Sequence, residues 1–213
     1  DTAPARLSVT GVWSLPEVPT RYGASLALTV LNQGPAPARK VVLELPAGFD
    51  AVFTNVVFDA AIPGVVRDGT HVRIPVLDPG ASLALQLAFA GSASPGRFAP
   101  RFEVGSQSPA GPGPLPSASP SILVRLAPVL SVVPATGTEG TGTGILANSF
   151  VVATIRLSSK ALVSGSVRVE TVPGTATAES DYRSAPTRVA ILAGKDSAIV
   201  TVAIRADAVP EPT

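Results

Sequence analysis

The sequence predicts an all-β protein built as two tandem sandwich domains. Three observations lead there. Apolar and polar residues alternate with period two along most of the chain, as they do in strands with one buried face. The 19 Gly and 22 Pro interrupt nearly every window long enough for three helical turns, which leaves short elements joined by punctuated turns. The 213 residues are enough for two ordinary sandwich domains.

The elements follow in order. Ser25-Leu26-Ala27-Leu28-Thr29-Val30-Leu31 places Leu26, Leu28 and Val30 on one face of a strand. Leu31-Asn32-Gln33-Gly34-Pro35 then reads as a reversal, with Asn and Gly suited to positive φ and Pro setting the next φ. Lys40-Val41-Val42-Leu43-Glu44-Leu45-Pro46-Ala47-Gly48-Phe49 is a strand running into a second turn, and His71-Val72-Arg73-Ile74 alternates again. Leu77-Asp78-Pro79-Gly80-Ala81 turns the chain into the strand Ser82 to Leu87. The Pro-, Gly- and Ser-rich stretch from Ser106 to Ser121 is a long loop, and Ser121 to Leu126 closes the first domain, residues 1–126. The second domain, residues 127–213, opens with Val129 to Val133. It continues through Ser166-Val167-Arg168-Val169-Glu170 and Ile199 to Ile204. The junction Ala127-Pro128 is short, and the residue before Pro avoids the helical region, so a stiff two-domain rod is expected.

Composition excludes several functions. Lys+Arg (16) and Asp+Glu (15) nearly balance, so no strong field attracts nucleic acid or an anionic membrane surface. Without Cys there is neither disulfide nor thiolate chemistry. No apolar run reaches the roughly 18 residues that span a bilayer. The single His, His71, sits in an alternating strand and starts no triad or metal pattern. No G-x-S-x-G elbow is present, and the Gly-rich run from Thr136 to Gly144 lacks the Lys and helix of a phosphate loop. The chain is therefore read as non-enzymatic. With no Met, the chain is expected to begin after processing or to be a fragment, and its start at Asp1-Thr2-Ala3-Pro4-Ala5 suits the product of signal-peptide cleavage.

Two resemblances add to this reading. Val169-Glu170-Thr171-Val172-Pro173-Gly174-Thr175-Ala176-Thr177-Ala178-Glu179-Ser180-Asp181-Tyr182 resembles the signature of the Calx-beta domain, an immunoglobulin-like module, and the similarity spans roughly Val129 to Thr213. Asn32-Gln33-Gly34-Pro35, together with Leu45-Pro46-Ala47-Gly48-Phe49, resembles the repeat domain of bacterial surface proteins built on an N-x-G-P turn. These resemblances imply two immunoglobulin-like sandwiches at the bacterial surface or outside the cell. The Calx-beta pattern continues with two closing strands, whereas this chain stops at Ala208-Val209-Pro210-Glu211-Pro212-Thr213. The second sandwich is expected to lack those strands, which either a longer chain or a neighbouring subunit would supply by strand addition. The apolar residues expected to lose part of their cover are Val167, Val169, Val200 and Val202.

The Calx-beta resemblance also implies a calcium site at Glu139, Asp181, Asp207 and Glu211. Two further acidic positions of the family are Ala206 and Ala208 here, so one site of modest affinity is implied rather than a multi-ion cluster. Ordinary roles stand beside this one: Glu139 as a solvated turn residue, Asp181 as a cap on its own turn, Asp207 and Glu211 as exposed charges. Tyr182 is expected to bury its ring and bond backbone through its hydroxyl, and Trp13 and Tyr22 to make core or interdomain contacts.

Two function classes remain open. One is a structural or adhesive module of a secreted bacterial surface protein or extracellular fibre. The other is an ancillary ligand-binding region of a larger secreted enzyme. Fold alone does not separate them.

Overall fold

The computed structural model describes residues 4–58, 62–107, 115–137, 149–185 and 188–205. The chain divides into two compact units, Asp1–Leu126 and Ala127–Thr213. Both are all-β sandwiches.

The first unit contains β1 (Leu7–Trp13), β2 (Glu17–Pro19), β3 (Ala24–Asn32), β4 (Ala38–Glu44), α1 (Phe49–Val52), β5 (Phe53–Phe58), β6 (Val66–Asp68), β7 (His71–Leu77), β8 (Ser82–Phe89), β9 (Gly96–Phe98), β10 (Phe102–Gly105), β11 (Ser117–Ala118) and β12 (Ile122–Arg125). One sheet runs β1-β3-β8-β5. The facing layer is built from β11-β10-β4-β7-β6 and β2-β12-β9. These two groups are halves of one broken layer, because β9 leads into β10 across Pro100 and β11 into β12 across Pro120. Proline cannot donate to a ladder, so both breaks fall where a proline interrupts the pairing.

Alternation sets which residues meet between the layers. Leu26, Leu28 and Val30 of β3, with Leu83, Leu85 and Leu87 beside them on β8, form one buried cluster with Val41 and Leu43 of β4 and Val72 and Ile74 of β7 in the facing layer. Aliphatic residues dominate this core, and aromatics close one end of it. Phe49 stacks on Phe53 at 4.7 Å between ring centroids. Phe89 stacks on Phe98 at 5.0 Å, and Trp13 meets Phe89 edge-on at 5.5 Å. Such geometries add to the area buried. The one-turn helix α1 was not expected from the sequence. Gly48, with φ of 70°, bends the chain so that Phe49 enters the core, and the Arg67 guanidinium covers that ring at 4.9 Å.

The turn at Asn32-Gln33-Gly34-Pro35 differs from the expected reversal. Neither Asn32 nor Gly34 takes positive φ. Asn32 is instead a fully buried polar side chain. Its Nδ2 donates to the carbonyls of Ala36 at 2.8 Å and Leu77 at 2.9 Å, while its Oδ1 accepts from the N–H groups of Gly34 at 3.0 Å and Arg6 at 3.3 Å. Its backbone bonds Ala81 and Gly80. Gly34 is required for close approach: a Cβ there would lie 2.4 Å from the Arg6 nitrogen and 2.6 Å from the Pro4 carbonyl oxygen.

The second unit contains β13 (Leu130–Val133), β14 (Ser149–Leu157), β15 (Gly165–Arg168), β16 (Arg188–Ile191) and β17 (Ser197–Ile204). The sheet β13-β14-β17 packs on the two-stranded sheet β15-β16 through a small core of Ile155, Ala161, Ala185, Ile191 and Val200. Val200 is buried in that core, so it keeps its cover, while Val167, Val169 and Val202 pack against it and are only partly buried. The uncovered inner-face residues are Leu130 and Val132 of β13, because no described strand of the facing sheet reaches across them.

Asn32→Ala should strand at least one buried donor or acceptor, at a cost of about 1–3 kcal/mol. Urea unfolding should show a lower midpoint at unchanged slope. Gly34→Ala should also destabilise, through the clash with Arg6 and Pro4, and wild-type stability for both variants would refute this account.

Candidate functional site

The region singled out by the sequence is the loop from Gly174 to Arg183, which precedes β16 and packs on the end of β17. The strand partner of Tyr182 is Ile204, the last residue of β17. The Arg183 N–H donates to the Ala203 carbonyl, and the Arg205 N–H to the Asp181 carbonyl, each at 2.8 Å. These bonds fasten both flanks of Tyr182 to one strand. The Arg205 guanidinium reaches the Glu179 backbone carbonyl and lies 3.6 Å from the Glu179 carboxylate. Glu179 takes φ of 72°, an uncommon conformation for a residue with a Cβ, and its N–H donates to the Tyr182 carbonyl at 2.7 Å.

Asp181 organises the turn. Its carboxylate accepts the Thr177 backbone N–H, and its own N–H donates to the Thr177 carbonyl at 3.0 Å. This is the capping role open to Asx side chains. Hydrogen bonds from the Thr177 N–H first and the Ser180 hydroxyl second hold its carboxyl below the usual carboxylate value. The group is exposed to solvent, so the effect stays modest.

A cleft of about 580 Å³ opens beside this turn, lined by Val151, Val172, Asp181, Tyr182, Val202 and Ile204 among others. Gly137 packs at its wall, where a Cβ would lie 2.5 Å from Val151 Cγ2 and 2.8 Å from Ile204 Cδ1. The expectation for Tyr182 is corrected here. Its hydroxyl is buried but bonds no backbone group among the described residues. The loop is held instead by the main-chain bonds on either side of the residue.

Of the four implied calcium ligands, Asp181 is described. Glu139, Asp207 and Glu211 lie outside the described residues. Among the described residues, no group of three or more His, Cys, Asp or Glu side chains converges. Asp181 presents a carboxylate already engaged by a backbone N–H, with its second oxygen outside that bond. A cation at this turn would need six to eight oxygens, most of them from elsewhere. Trp13 belongs to the core aromatics of the first unit, with its indole N–H buried and without a partner among the described residues. Tyr22 is 42% exposed and lies outside the buried core of its unit. His71 begins β7 and pairs in the ladder with Glu44 and Asp68.

A second cleft, of about 520 Å³, lies on the outward face of β4 and β7, where Lys40 and Arg73 flank Val42, Val66 and Pro75. Pro75 has no N–H to offer to β4, and Lys40, the residue opposite, takes φ of 49°. Sequence reasoning missed this feature, although a proline inside an alternating strand was the signal for it.

No protein-family model matches the chain, and no curated protein is similar to it. Among solved structures, the chain is similar to BslA, a bacterial hydrophobin, at 18% identity over 57% of this chain and 96% of that one, with a TM-score of 0.43. It is similar to a CARDB domain from Pyrococcus furiosus, solved in complex with di-metal ions, at 13% identity over 57% and 90% of the two chains, with a TM-score of 0.39. It is also similar to the secreted serine protease VesC from Vibrio cholerae, at 10% identity over 94% and 47%, with a TM-score of 0.29. None of these likenesses bears on function.

Because its folded-state pKa is depressed, ionised Asp181 contributes stability above its unfolded pKa, and that contribution fades as pH falls through the folded value. Asp181→Asn should therefore shrink the difference in stability between neutral and acid pH. Urea titrations of both proteins at pH values above and below the carboxylate range test this. An unchanged acid dependence would show that the Thr177 bond does not bias ionisation.

Proposed function

We propose that this chain is a non-enzymatic structural or adhesive module of a secreted bacterial surface protein or extracellular fibre. The observation that carries the reading is the repetition of one architecture: two β-sandwich units follow each other directly in sequence, without an intervening segment. Such a build suits spacing and display. The resemblances at Asn32-Gln33-Gly34-Pro35 and Ser180-Asp181-Tyr182 point the same way. Partners are further subunits, or further domains of the same chain, added strand to strand at the second unit. The alternative, an ancillary ligand-binding region of a secreted enzyme, is favoured by the basic-flanked cleft at Lys40 and Arg73. The reading frame of the parent gene separates the two: repeated sandwiches support the first, a catalytic domain the second.

Antibody labelling of intact producer cells or their culture fluid should find the protein without lysis. A signal seen only after lysis would overturn the proposal.

Calcium stabilisation forms part of the same reading. If Asp181 shares an ion with Glu139, Asp207 and Glu211, a hundredfold excess of calcium over its dissociation constant adds about 2.7 kcal/mol. Melting curves in calcium and in chelator should separate for wild type and coincide for Asp181→Ala. Coincident wild-type curves at millimolar calcium would remove the ion from the proposal.

A further inference from the structure

The outward face of the sheet β11-β10-β4-β7-β6 carries the open cleft of about 520 Å³ at Lys40 and Arg73. Its floor is apolar: Val42 of β4, Val66 of β6 and Pro75 of β7. Glycines stand at its sides. Gly105 of β10 lies opposite Val42, and a Cβ on Gly64 would lie 3.1 Å from Pro75 Cγ. Ser106 and Gln107 complete the lining beyond β10, where the Gln107 N–H donates to the Arg39 carbonyl at 3.2 Å. Clefts of this size accept small ligands held by an apolar lining and a few polar groups.

Lys40 is the lining residue that the fold does not account for. Two residues separate the buried Ala38 from Val41 on β4, and two separate Ile74 from Leu77 on β7, where alternation allows one. Both strands therefore turn over at the same level, between the pairs Arg39↔Val76 and Val41↔Ile74. Pro75 sits there on β7, and Lys40 sits there on β4 with φ of 49°. Gly or Asn takes that conformation with less strain than a residue with a long side chain. The turnover explains the backbone and leaves the lysine unexplained, and strain kept at one position points to a use for its side chain. The Lys40 ammonium has no carboxylate partner among the described residues, whereas the Arg73 guanidinium lies 3.2 Å from Asp68. An uncommitted cation thus borders an apolar floor, with the neutral hydrogen-bonding groups of Ser106 and Gln107 beside it.

We infer that this cleft binds an acidic sugar, a hexuronic acid unit of a polysaccharide, with the Lys40 ammonium on its carboxylate. The sugar ring lays an apolar C–H face on Val42 and Pro75, and its hydroxyls meet Ser106 and Gln107. The carboxylate supplies the charge that the ammonium lacks, in a bond stronger than one between neutral groups. A peptide suits the cleft less well. Extended peptides gain affinity by adding to a free sheet edge, and here both central strands are already paired on each side, β4 by β10 and β7, and β7 by β4 and β6. An exposed ion pair contributes little by itself, so a short oligomer binds weakly. The inference goes beyond both function classes, because a surface module and an ancillary region of an enzyme can each carry such a site.

Amide chemical shifts of the 213-residue chain, titrated with trigalacturonate, test this. The Lys40, Val42, Gly105 and Gln107 amides should shift and saturate, and neutral maltotriose should leave them in place. Lys40→Asn keeps a side chain that accepts positive φ and removes the charge. It should melt no lower than the wild type and bind trigalacturonate roughly tenfold more weakly, the contribution of one hydrogen bond to a charged group. Lys160→Asn, in the second unit, should bind as the wild type does. Should Lys40→Asn fail to fold, salt decides the matter on the wild type: screening should weaken trigalacturonate binding, and salt-independent binding overturns the inference. So does an absence of saturating shifts, an affinity that Lys40→Asn leaves unchanged, or equal shifts with maltotriose. Triglutamate that shifts the same amides at lower concentration would make the occupant an acidic peptide and also overturn it.

Discussion

The side chain of Asn32 lies where the chain of the first unit crosses twice between its two layers. β3 ends at Asn32 and hands over to β4 in the facing layer, while β7 ends at Leu77 and hands over to β8 in the first. One carboxamide spans both crossings, through Nδ2 to Ala36 and Leu77 and through Oδ1 to Gly34 and Arg6. A buried amide is costly unless its bonding capacity is met, and here two donors and an acceptor are used together. The registers β3↔β8 and β4↔β7 start from this corner, so the cluster that joins Leu28 and Val30 with Val41 and Ile74 depends on it. Gly34 allows the arrangement by letting the segment at Pro4 and Arg6 pass within van der Waals reach.

Around that corner the first unit saturates its interior. Aliphatic strands fill the middle, and Trp13, Phe49, Phe53, Phe89 and Phe98 close one end. The second unit follows the same plan with far less material. Among the described residues its buried core is Ile, Val and Ala, its phenylalanine Phe150 faces solvent, and its facing sheet has two strands. Apolar burial scales with area, so the second unit draws less stability from its own packing.

The loop at Asp181 illustrates how a motif divides between structure and chemistry. The carboxylate turns the chain by capping Thr177, and the neighbouring main-chain groups tie Tyr182 to β17. The same oxygen atoms that suit a cation also suit a backbone N–H. The local turn therefore explains the presence of Asp181 without any bound ion, whatever the contribution of Glu139, Asp207 and Glu211.

By itself the sequence determined the strands and their faces. Alternation at Leu26, Leu28 and Val30, or at Leu83, Leu85 and Leu87, marks a buried row because side chains in a strand alternate strictly. It also marked the turns, including Leu77-Asp78-Pro79-Gly80, where Gly80 takes φ of 76°. Only the tertiary structure decided which strands became neighbours, because a period of two names a face and not a partner. The turn motif at Asn32 therefore read as a local reversal, while its decisive bond goes to Leu77, 45 residues away. Val167 and Val200 share the alternation of Leu130 and Val132, and only the placement of β15-β16 makes the first pair better covered than the second among the described residues.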